Sequence, residues 1–331
     1  MKVVIDSAIP YIRGILEPFA ETIYLEGGKF TREVVADADA LIIRTRTQIT
    51  ESLLEGSKVS FIATATIGKD HIDETYCQRR GIAVSSAPGC NARGVLQWVA
   101  GVLHHITTTE HRSPESYTLG VVGVGNVGSL VANYARHWGF KVMECDPPRQ
   151  EREGGDFSSI EEIVRNADII TLHTPLDDST RHLINNNTLA MMRPETIVVN
   201  ASRGGVVDND AVLKSGYRYI YDVWEGEPNL KDEILKGAML STPHIAGYSI
   251  QGKANATAMC VRALANHFGL PLKEWYPEEI VPTSPRLISW EELCSTITDH
   301  IDIIRESEVL RSNPTQFEAL RNSYAFRQEY F

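Results

Sequence analysis

The sequence predicts an α/β protein with two doubly wound parallel-sheet domains and a small C-terminal segment. Three observations carry this prediction. A chain of 331 residues is too long for one ordinary domain. Short apolar, β-branched runs alternate with helical stretches up to about residue 242, as in parallel sheets covered on both faces. Beyond that point the alternation stops, which sets the C-terminal segment apart.

The expected strands form two sets. Within the first 90 residues they are KVVID, TIYL, ALIIR, VSFIAT and IAVSS. Up to about residue 242 they are LGVVG, KVMEC, ADIITLH, TIVVNA, YIYDVW and AMLST. Each set is sufficient for one parallel sheet.

Two long helices are expected to connect the domains. In NARGVLQWVAGVLHHITTTEH, Val95, Val99 and Val102 recur at helical spacing, and Asn91 can cap the first turn. A second helix, from about Ser249 to Phe268, would lead the chain back, so the first domain is expected to be discontinuous in sequence.

The C-terminal segment follows a proline-rich stretch, LPLKEWYPEEIVPTSP, which indicates a linker. Residues 285–331 contain an amphipathic stretch and a charged, aromatic tail, FEALRNSYAFRQEYF. This segment is too short for a core of its own, so it should pack on its own chain or on a second subunit.

Composition excludes several classes of protein. The formal charge of −11 disfavours nucleic acid or an anionic membrane as the main partner. No apolar run is long enough to cross a membrane, and the first residues do not resemble a signal peptide, so we expect a cytoplasmic protein. Five scattered cysteines without a CxxC pair predict neither a disulfide framework nor a metal site.

A glycine-rich turn predicts dinucleotide binding. Gly123, Gly125 and Gly128 have GxGxxG spacing, directly after an expected strand and at the start of a helix. Asp146 follows the next strand, where a carboxylate can accept the ribose hydroxyls and repel a 2′-phosphate, so NAD is expected rather than NADP. Arg149 could weaken the preference for NAD over NADP. The alternative is a structural glycine turn.

A second loop is expected to face the nucleotide. LHTPL, with Thr174 at its centre, follows a third strand at its carboxyl end, where open α/β sheets bind ligands. The alternative is an ordinary exit from the strand with a turn proline.

Three polar residues follow three later strands: Arg203, Glu227 and His244. Singly, each could be a surface arginine, a loop glutamate or a structural histidine. Together they suit hydride transfer from an alcohol, because a histidine can take the hydroxyl proton, a carboxylate can orient the imidazole, and a guanidinium can bind a carboxylate and the developing carbonyl.

The pattern GVVGVGNVG, CDPP, LHTPL, NASRGGVVDNDAVL, YDVWEGEP and PHIAGYS resembles the D-isomer-specific 2-hydroxyacid dehydrogenase family from about residue 36 to 270. The resemblance implies a Rossmann-like cofactor domain inserted in a flavodoxin-like substrate domain. It also implies that Arg203, Glu227 and His244 are catalytic. The implied cofactor-binding set is Gly123, Gly125, Asn126, Val127, Gly128, Asp146, Thr174, Ala201, Ser202, Arg203, Asp222 and Gly247.

The expected domains follow from the resemblance and the strand pattern. They are a substrate domain of residues 1–92 and 263–282, an NAD-binding domain of residues 93–262, and a C-terminal dimerisation segment of residues 283–331. The substrate site would lie between the two domains, with hinges near residues 87–91 and 247–252.

Further stretches, among them IIRTRTQIT, TATIGKDHID and PHIAGYSIQGKANAT, resemble one branch of the family that oxidises 4-phospho-D-erythronate in pyridoxal phosphate biosynthesis. This resemblance implies Thr45, Thr66 and Tyr248 as substrate-binding residues. The closing FEALRNSYAFRQEY resembles the branch's dimerisation region and implies a homodimer. Independently, Arg44 or Arg46 could neutralise phosphate charge, or be only solvated.

Two departures from the family pattern bear on these expectations. The chain ends soon after the dimerisation signature. The crossover AVLKSGYRYIYDV is several residues short, so either its helix has about two turns or the chain lacks residues there. Alternative functions are a dehydrogenase or reductase for another D-2-hydroxyacid, such as 3-phosphoglycerate or glyoxylate/hydroxypyruvate, and an NAD(H)-sensing protein resembling the family's corepressors.

Overall fold

The computed structural model describes residues 1–331, which form two compact units. The first contains Met1–Asn91 and Ile250–Pro282, and the second contains Ala92–Ser249 and Thr283–Phe331. All eleven expected apolar runs form strands, and every strand pairing is parallel. The predicted fold class is therefore confirmed.

The strands of the first unit form one five-stranded sheet in the order β2-β1-β3-β4-β5. Their bounds are β1 Lys2–Asp6, β2 Glu21–Leu25, β3 Ala40–Ile43, β4 Phe61–Thr64 and β5 Ala83–Ser85. All residues of β3 and β4 are buried, as expected for central strands covered on both faces.

The second unit contains a six-stranded sheet in the order β11-β10-β9-β8-β6-β7. Its strands are β6 Thr118–Val122, β7 Lys141–Cys145, β8 Ile169–Leu172, β9 Ile197–Asn200, β10 Arg218–Tyr221 and β11 Leu240–Ser241. The strand order reverses beside β6, where doubly wound sheets bind ligands at the carboxyl ends of their strands.

Fourteen α-helices connect or cover these strands. They are α1 Arg32–Val35, α2 Glu51–Leu54, α3 Glu74–Arg79, α4 Ala92–Glu110, α5 Asn126–His137, α6 Pro147–Glu153, α7 Ile160–Asn166, α8 Asn186–Leu189, α9 Asn209–Ser215, α10 Asp232–Gly237, α11 Ile250–Phe268, α12 Trp290–His300, α13 Ile303–Ser312 and α14 Phe317–Asn322. None of them combines the length and the apolar character that crossing a membrane requires.

The division of the chain differs from the expected one at α11. The expected boundary after residue 262 falls inside this helix, which is continuous and belongs wholly to the first unit. Residues near the start of α11 are hydrogen-bonded to the first unit: Asn255 donates to the Cys90 carbonyl at 3.0 Å, and Thr257 donates to the Pro10 carbonyl at 2.9 Å. Residues 250–262 therefore lie with the first unit.

The C-terminal segment packs on the second unit of its own chain. Leu293, Ile297 and Phe331 are buried in the same apolar cluster as residues of α4 and β6. The indole of Trp138, at the end of α5, donates to the Ile288 carbonyl at 3.0 Å. Residues 283–331 thus contribute to the core of this unit.

The short crossover before β10 contains a helix of about two turns. Helix α9 spans only Asn209–Ser215, and Gly216 follows it in the left-handed conformation with a φ of 75°. Asp208 caps the first turn by accepting from the Ala211 amide at 2.9 Å. The helix is thus capped at its start and closed by a glycine, a common way for helices to end.

Candidate functional site

The glycine-rich turn between β6 and α5 is shaped by two close approaches of the backbone. Gly123 has a φ of 84°, and a Cβ there would lie 2.8 Å from the His173 carbonyl carbon. A Cβ at Gly128 would lie 1.9 Å from the Gly123 carbonyl oxygen, so only glycine fits. At Gly125, no atom lies within 4 Å of the Cβ position. The backbone is therefore open beside the first-turn amides of α5, where a phosphate can bind.

Asp146 holds the glycine-rich turn as well as capping α6. Its two carboxylate oxygens accept from the Arg149 amide at 2.9 Å and the Val124 amide at 2.8 Å. A carboxylate has about four acceptor positions, so it can still accept from ribose hydroxyls. The guanidinium of Arg149 donates to the Val124 carbonyl and to Glu153, both at 2.8 Å. Arg149 thus supports the turn from one side.

The loop after β8 presents one neutral and one unpaired polar group. Burial lowers the pKa of His173 from 6.5 to about 3, so its ring is neutral, and its Nε2 lies 3.0 Å from the Thr171 hydroxyl. The neighbouring Thr174 hydroxyl is buried without a hydrogen-bond partner. Buried polar atoms are rarely left unpaired in folded proteins, so this hydroxyl is suited to a ligand. With the open glycine turn and Asp146, it fits a dinucleotide.

His244 and Glu227 form a hydrogen-bonded pair after β11 and β10. Nδ1 of His244 lies 2.8 Å from Oε2 of Glu227, and the side chains are 27% and 19% exposed. The other oxygen, Oε1, accepts from the Trp224 amide at 2.6 Å. Burial alone would raise the pKa of Glu227, but His244, the Trp224 amide and the Arg321 charge together lower it. The carboxylate is therefore ionised at neutral pH.

The histidine loop, residues 243–248, is supported by Asp222. His244 has a φ of 57°, which is uncommon for a residue with a side chain. The Asp222 carboxylate is 1% exposed and accepts from the Ile245 amide at 2.8 Å, the Ala246 amide at 2.9 Å and the Thr242 hydroxyl at 2.6 Å. These bonds hold the loop in a backbone conformation that would otherwise be costly.

Arg203 follows β9, the neighbour of β10 in the sheet. Buried Asn200 donates to the Arg203 carbonyl at 3.0 Å, and its oxygen accepts from the Ser202 amide and hydroxyl. A Cβ at Gly204 would lie 2.1 Å from the Trp224 carbonyl carbon, so this glycine lets the β9 and β10 loops touch. The guanidinium of Arg203 itself donates to the Ser202 carbonyl at 2.8 Å.

The predicted residues of the second unit all follow strand ends or lie in the first turn of α5. After β6 to β8 lie Gly123, Gly125, Asn126, Val127, Gly128, Asp146 and Thr174, and after β9 to β11 lie Ala201, Ser202, Arg203, Asp222, Glu227, His244, Gly247 and Tyr248. The structure brings Glu227 and His244 into direct contact. Asp222 faces the histidine loop through both carboxylate oxygens.

Thr45 and Thr66 lie in the first unit, each two residues past the end of a strand. Their strands, β3 and β4, are adjacent and parallel, so both threonines lie at the same edge of the sheet. The Thr66 hydroxyl donates to the Gly68 carbonyl at 3.0 Å. Arg44 makes one long contact, 3.5 Å, to the Ala8 carbonyl.

The sequence reasoning missed two arginines of the C-terminal segment. Arg321 donates through Nε to the Tyr248 hydroxyl at 3.1 Å. Arg327 is 7% exposed and donates to the Ile245 carbonyl at 3.0 Å and to the Ala246 carbonyl. Their only signal in the sequence was the alternation of charged and aromatic residues near the end of the chain.

Comparison with known proteins gives consistent matches. The family model described as "D-isomer specific 2-hydroxyacid dehydrogenase, NAD binding domain" matches residues 94–246. The chain is 44% identical to the erythronate-4-phosphate dehydrogenase of Bacteroides thetaiotaomicron, over 99% of this chain and 97% of that protein. It is 37% identical to the enzyme of that name from Escherichia coli O1:K1 / APEC, over 100% and 92% of the two chains.

Solved structures show the same fold. D-lactate dehydrogenase from Aquifex aeolicus, complexed with NAD and lactic acid, matches with a TM-score of 0.68 and 25% identity, over 81% of this chain and 96% of that one. NAD+-bound 3-phosphoglycerate dehydrogenase from Entamoeba histolytica matches with a TM-score of 0.70 and 25% identity, over 85% and 99%. These matches confirm the predicted cofactor, NAD.

Proposed function

Since this chain belongs to the D-isomer-specific 2-hydroxyacid dehydrogenases, and within them to the erythronate-4-phosphate dehydrogenase family, it is an NAD-dependent dehydrogenase, and we propose that it oxidises 4-phospho-D-erythronate. The product is (R)-3-hydroxy-2-oxo-4-phosphooxybutanoate, formed in a step of pyridoxal phosphate biosynthesis. The observation that carries the chemistry is the 2.8 Å pair between His244 and the ionised Glu227.

His244 is the general base of this reaction. Its Nδ1 donates to Glu227, so in the neutral ring Nε2 carries the lone pair that accepts the C2 hydroxyl proton. As that proton arrives the ring becomes an imidazolium, which the Glu227 carboxylate stabilises. In the reverse direction the imidazolium returns the proton to the carbonyl oxygen.

When bound, NAD+ would supply the acceptor for the hydride, which is the C2 hydrogen with the electron pair of its C–H bond. The open turn at Gly125, the Asp146 carboxylate and the unpaired Thr174 hydroxyl would hold the dinucleotide. Arg203, in the loop that follows β9, binds the substrate carboxylate and the developing carbonyl oxygen, because its planar guanidinium can donate to both.

Thr45, Thr66 and Tyr248 are the proposed substrate-binding residues, and their hydroxyl groups suit the polar ends of the substrate. In the cell we propose a cytoplasmic homodimer that uses its C-terminal segment to dimerise. The proposed ligand is a small phosphorylated hydroxyacid, with neither nucleic acid nor membrane as a partner.

The test is a substrate panel that follows NADH at 340 nm, with and without a 2-oxoacid that could reoxidise the cofactor. We expect 4-phospho-D-erythronate to have the highest kcat/KM. Faster oxidation of 3-phosphoglycerate would contradict the substrate assignment. NADH binding without turnover of any hydroxyacid would instead indicate an NAD(H)-sensing protein.

A further inference from the structure

The end of the C-terminal segment is anchored against the histidine loop. The buried guanidinium of Arg327 donates to the Ile245 carbonyl at 3.0 Å, and Arg327 forms a parallel bridge with Ser249. Two residues farther on, Glu329 accepts from the Ser249 hydroxyl at 2.7 Å. Because these contacts are buried and mutually supporting, the residues that precede them are held at a defined position beside the loop.

Arg321 lies directly beside the last residue of the histidine loop. Its Nε donates to the Tyr248 hydroxyl at 3.1 Å, and its guanidinium carbon lies 6.0 Å from the centre of the Tyr248 ring. The same ring packs edge-on against Tyr324 and Phe326, with centroids 6.2 Å and 5.8 Å apart. Three side chains of the C-terminal segment therefore surround the tyrosine that we propose to bind substrate.

The charge of Arg321 acts on Glu227, the carboxylate that is hydrogen-bonded to His244. Its positive charge helps to lower the pKa of Glu227, so the guanidinium interacts electrostatically with this carboxylate. Arg321 forms no ion pair with a carboxylate, and only its Nε donates a hydrogen bond to the protein. The terminal nitrogens of this half-buried guanidinium are therefore available for an anion.

We infer that Arg321 binds the phosphate group of the substrate, which makes the C-terminal segment part of the active site and a determinant of specificity. This inference rests on the proposed function. In 4-phospho-D-erythronate the phosphate is carried on C4, two carbons from the C2 that reacts beside His244. A guanidinium donates two parallel hydrogen bonds to phosphate oxygens, which suits Arg321 to this end of the substrate as Arg203 suits the carboxylate end.

The test compares substrates with and without the phosphate. For the wild type and for Arg321→Met, kcat/KM is measured with 4-phospho-D-erythronate and with D-erythronate. We expect the ratio of the two values to fall about 30-fold in the variant, the scale of lost hydrogen bonds to a charged group. Arg321→Lys should restore part of the ratio. The inhibition constant of inorganic phosphate against 4-phospho-D-erythronate should rise in Arg321→Met.

Arg305→Met is the matched control, because Arg305 is an exposed arginine of the same segment, and its ratio should stay within twofold of the wild type. If Arg321→Met lowers kcat/KM for both substrates by the same factor, Arg321 only supports Tyr248 and the inference is wrong. If the wild type fails to oxidise 4-phospho-D-erythronate, the proposed function fails first and the inference with it.

Discussion

Replacing Glu227 with glutamine should damage catalysis more than the small change in shape suggests. In the wild type, two carboxylate oxygens serve two donors: Oε1 accepts from the Trp224 amide at 2.6 Å, and Oε2 pairs with Nδ1 of His244 at 2.8 Å. Glutamine has only one oxygen. If that oxygen stays with Trp224, the amide NH2 faces Nδ1 and favours the tautomer with its proton on Nε2, which cannot accept the substrate proton.

If the glutamine oxygen turns to His244 instead, the Trp224 amide loses its acceptor and the imidazolium loses its negative partner. A hydrogen bond to a charged group contributes about 1–2 kcal/mol more than a neutral one, or about 5–30-fold in rate. Adding the penalty for the wrong tautomer, we expect kcat to fall by about 100-fold or more, the scale of a lost general base.

The assay is steady-state NADH formation at 340 nm, with NADH affinity measured separately by fluorescence to show that the cofactor site is intact. The control is Glu225→Gln, which changes a nearby exposed glutamate paired with His182 at 2.8 Å. Its kcat should stay within about threefold of the wild type. If Glu227→Gln keeps kcat within about threefold of the wild type, the negative charge of Glu227 is not needed for catalysis.

Three further results are expected. Gly128→Ala should lower the Tm and abolish NAD binding, because the new Cβ would lie 1.9 Å from the Gly123 carbonyl oxygen. Gly125→Ala should fold like the wild type and only weaken NAD binding in calorimetry, because no atom lies within 4 Å of the Cβ position there. Equal losses of Tm in the two variants would contradict this expectation. Asp146→Ala should narrow the preference for NAD over NADP in KM measurements, and an unchanged ratio would remove Asp146 from cofactor selection. The pKa of Glu227 is lowered in the folded protein, so its ionised carboxylate stabilises the fold. This stabilisation is complete above the pKa of the unfolded state, about 4.3, and is lost as the pH falls through the pKa of the folded state. The difference in unfolding free energy between the wild type and Glu227→Gln should therefore shrink in urea titrations between pH 5 and pH 3, and a constant difference would contradict the assigned charge.

Local patterns predicted the sheets and the contact between Glu227 and His244. The eleven apolar runs became strands because each is short, β-branched and bounded by turn residues, so no distant partner was needed to recognise it. The contact between Glu227 and His244 was predictable because parallel strands in one sheet end at the same edge. Residues that follow neighbouring strands, as these two follow β10 and β11, are thereby brought together.

The remaining features depend on contacts between distant parts of the chain. Arg321 and Tyr248 are 73 residues apart, and Arg327 reaches the Ile245 carbonyl across 82 residues. Neither contact leaves a periodic pattern in the sequence. The expected boundary after residue 262 also differed from the structure, because helical periodicity reports that a helix forms but does not report which unit its buried face will meet.

Hydride transfer from C2 with His244 as the base is tested by a single-turnover experiment with excess enzyme, NAD+ and 4-phospho-D-erythronate deuterated at C2. We expect deuterium to appear in the NADH formed by the wild type, and we expect His244→Ala to slow this step at least ~100-fold without loss of NADH binding. Hydride transfer at an undiminished rate in His244→Ala would show that His244 is not the base, and NADH free of deuterium from the wild type would show that the hydride does not come from C2.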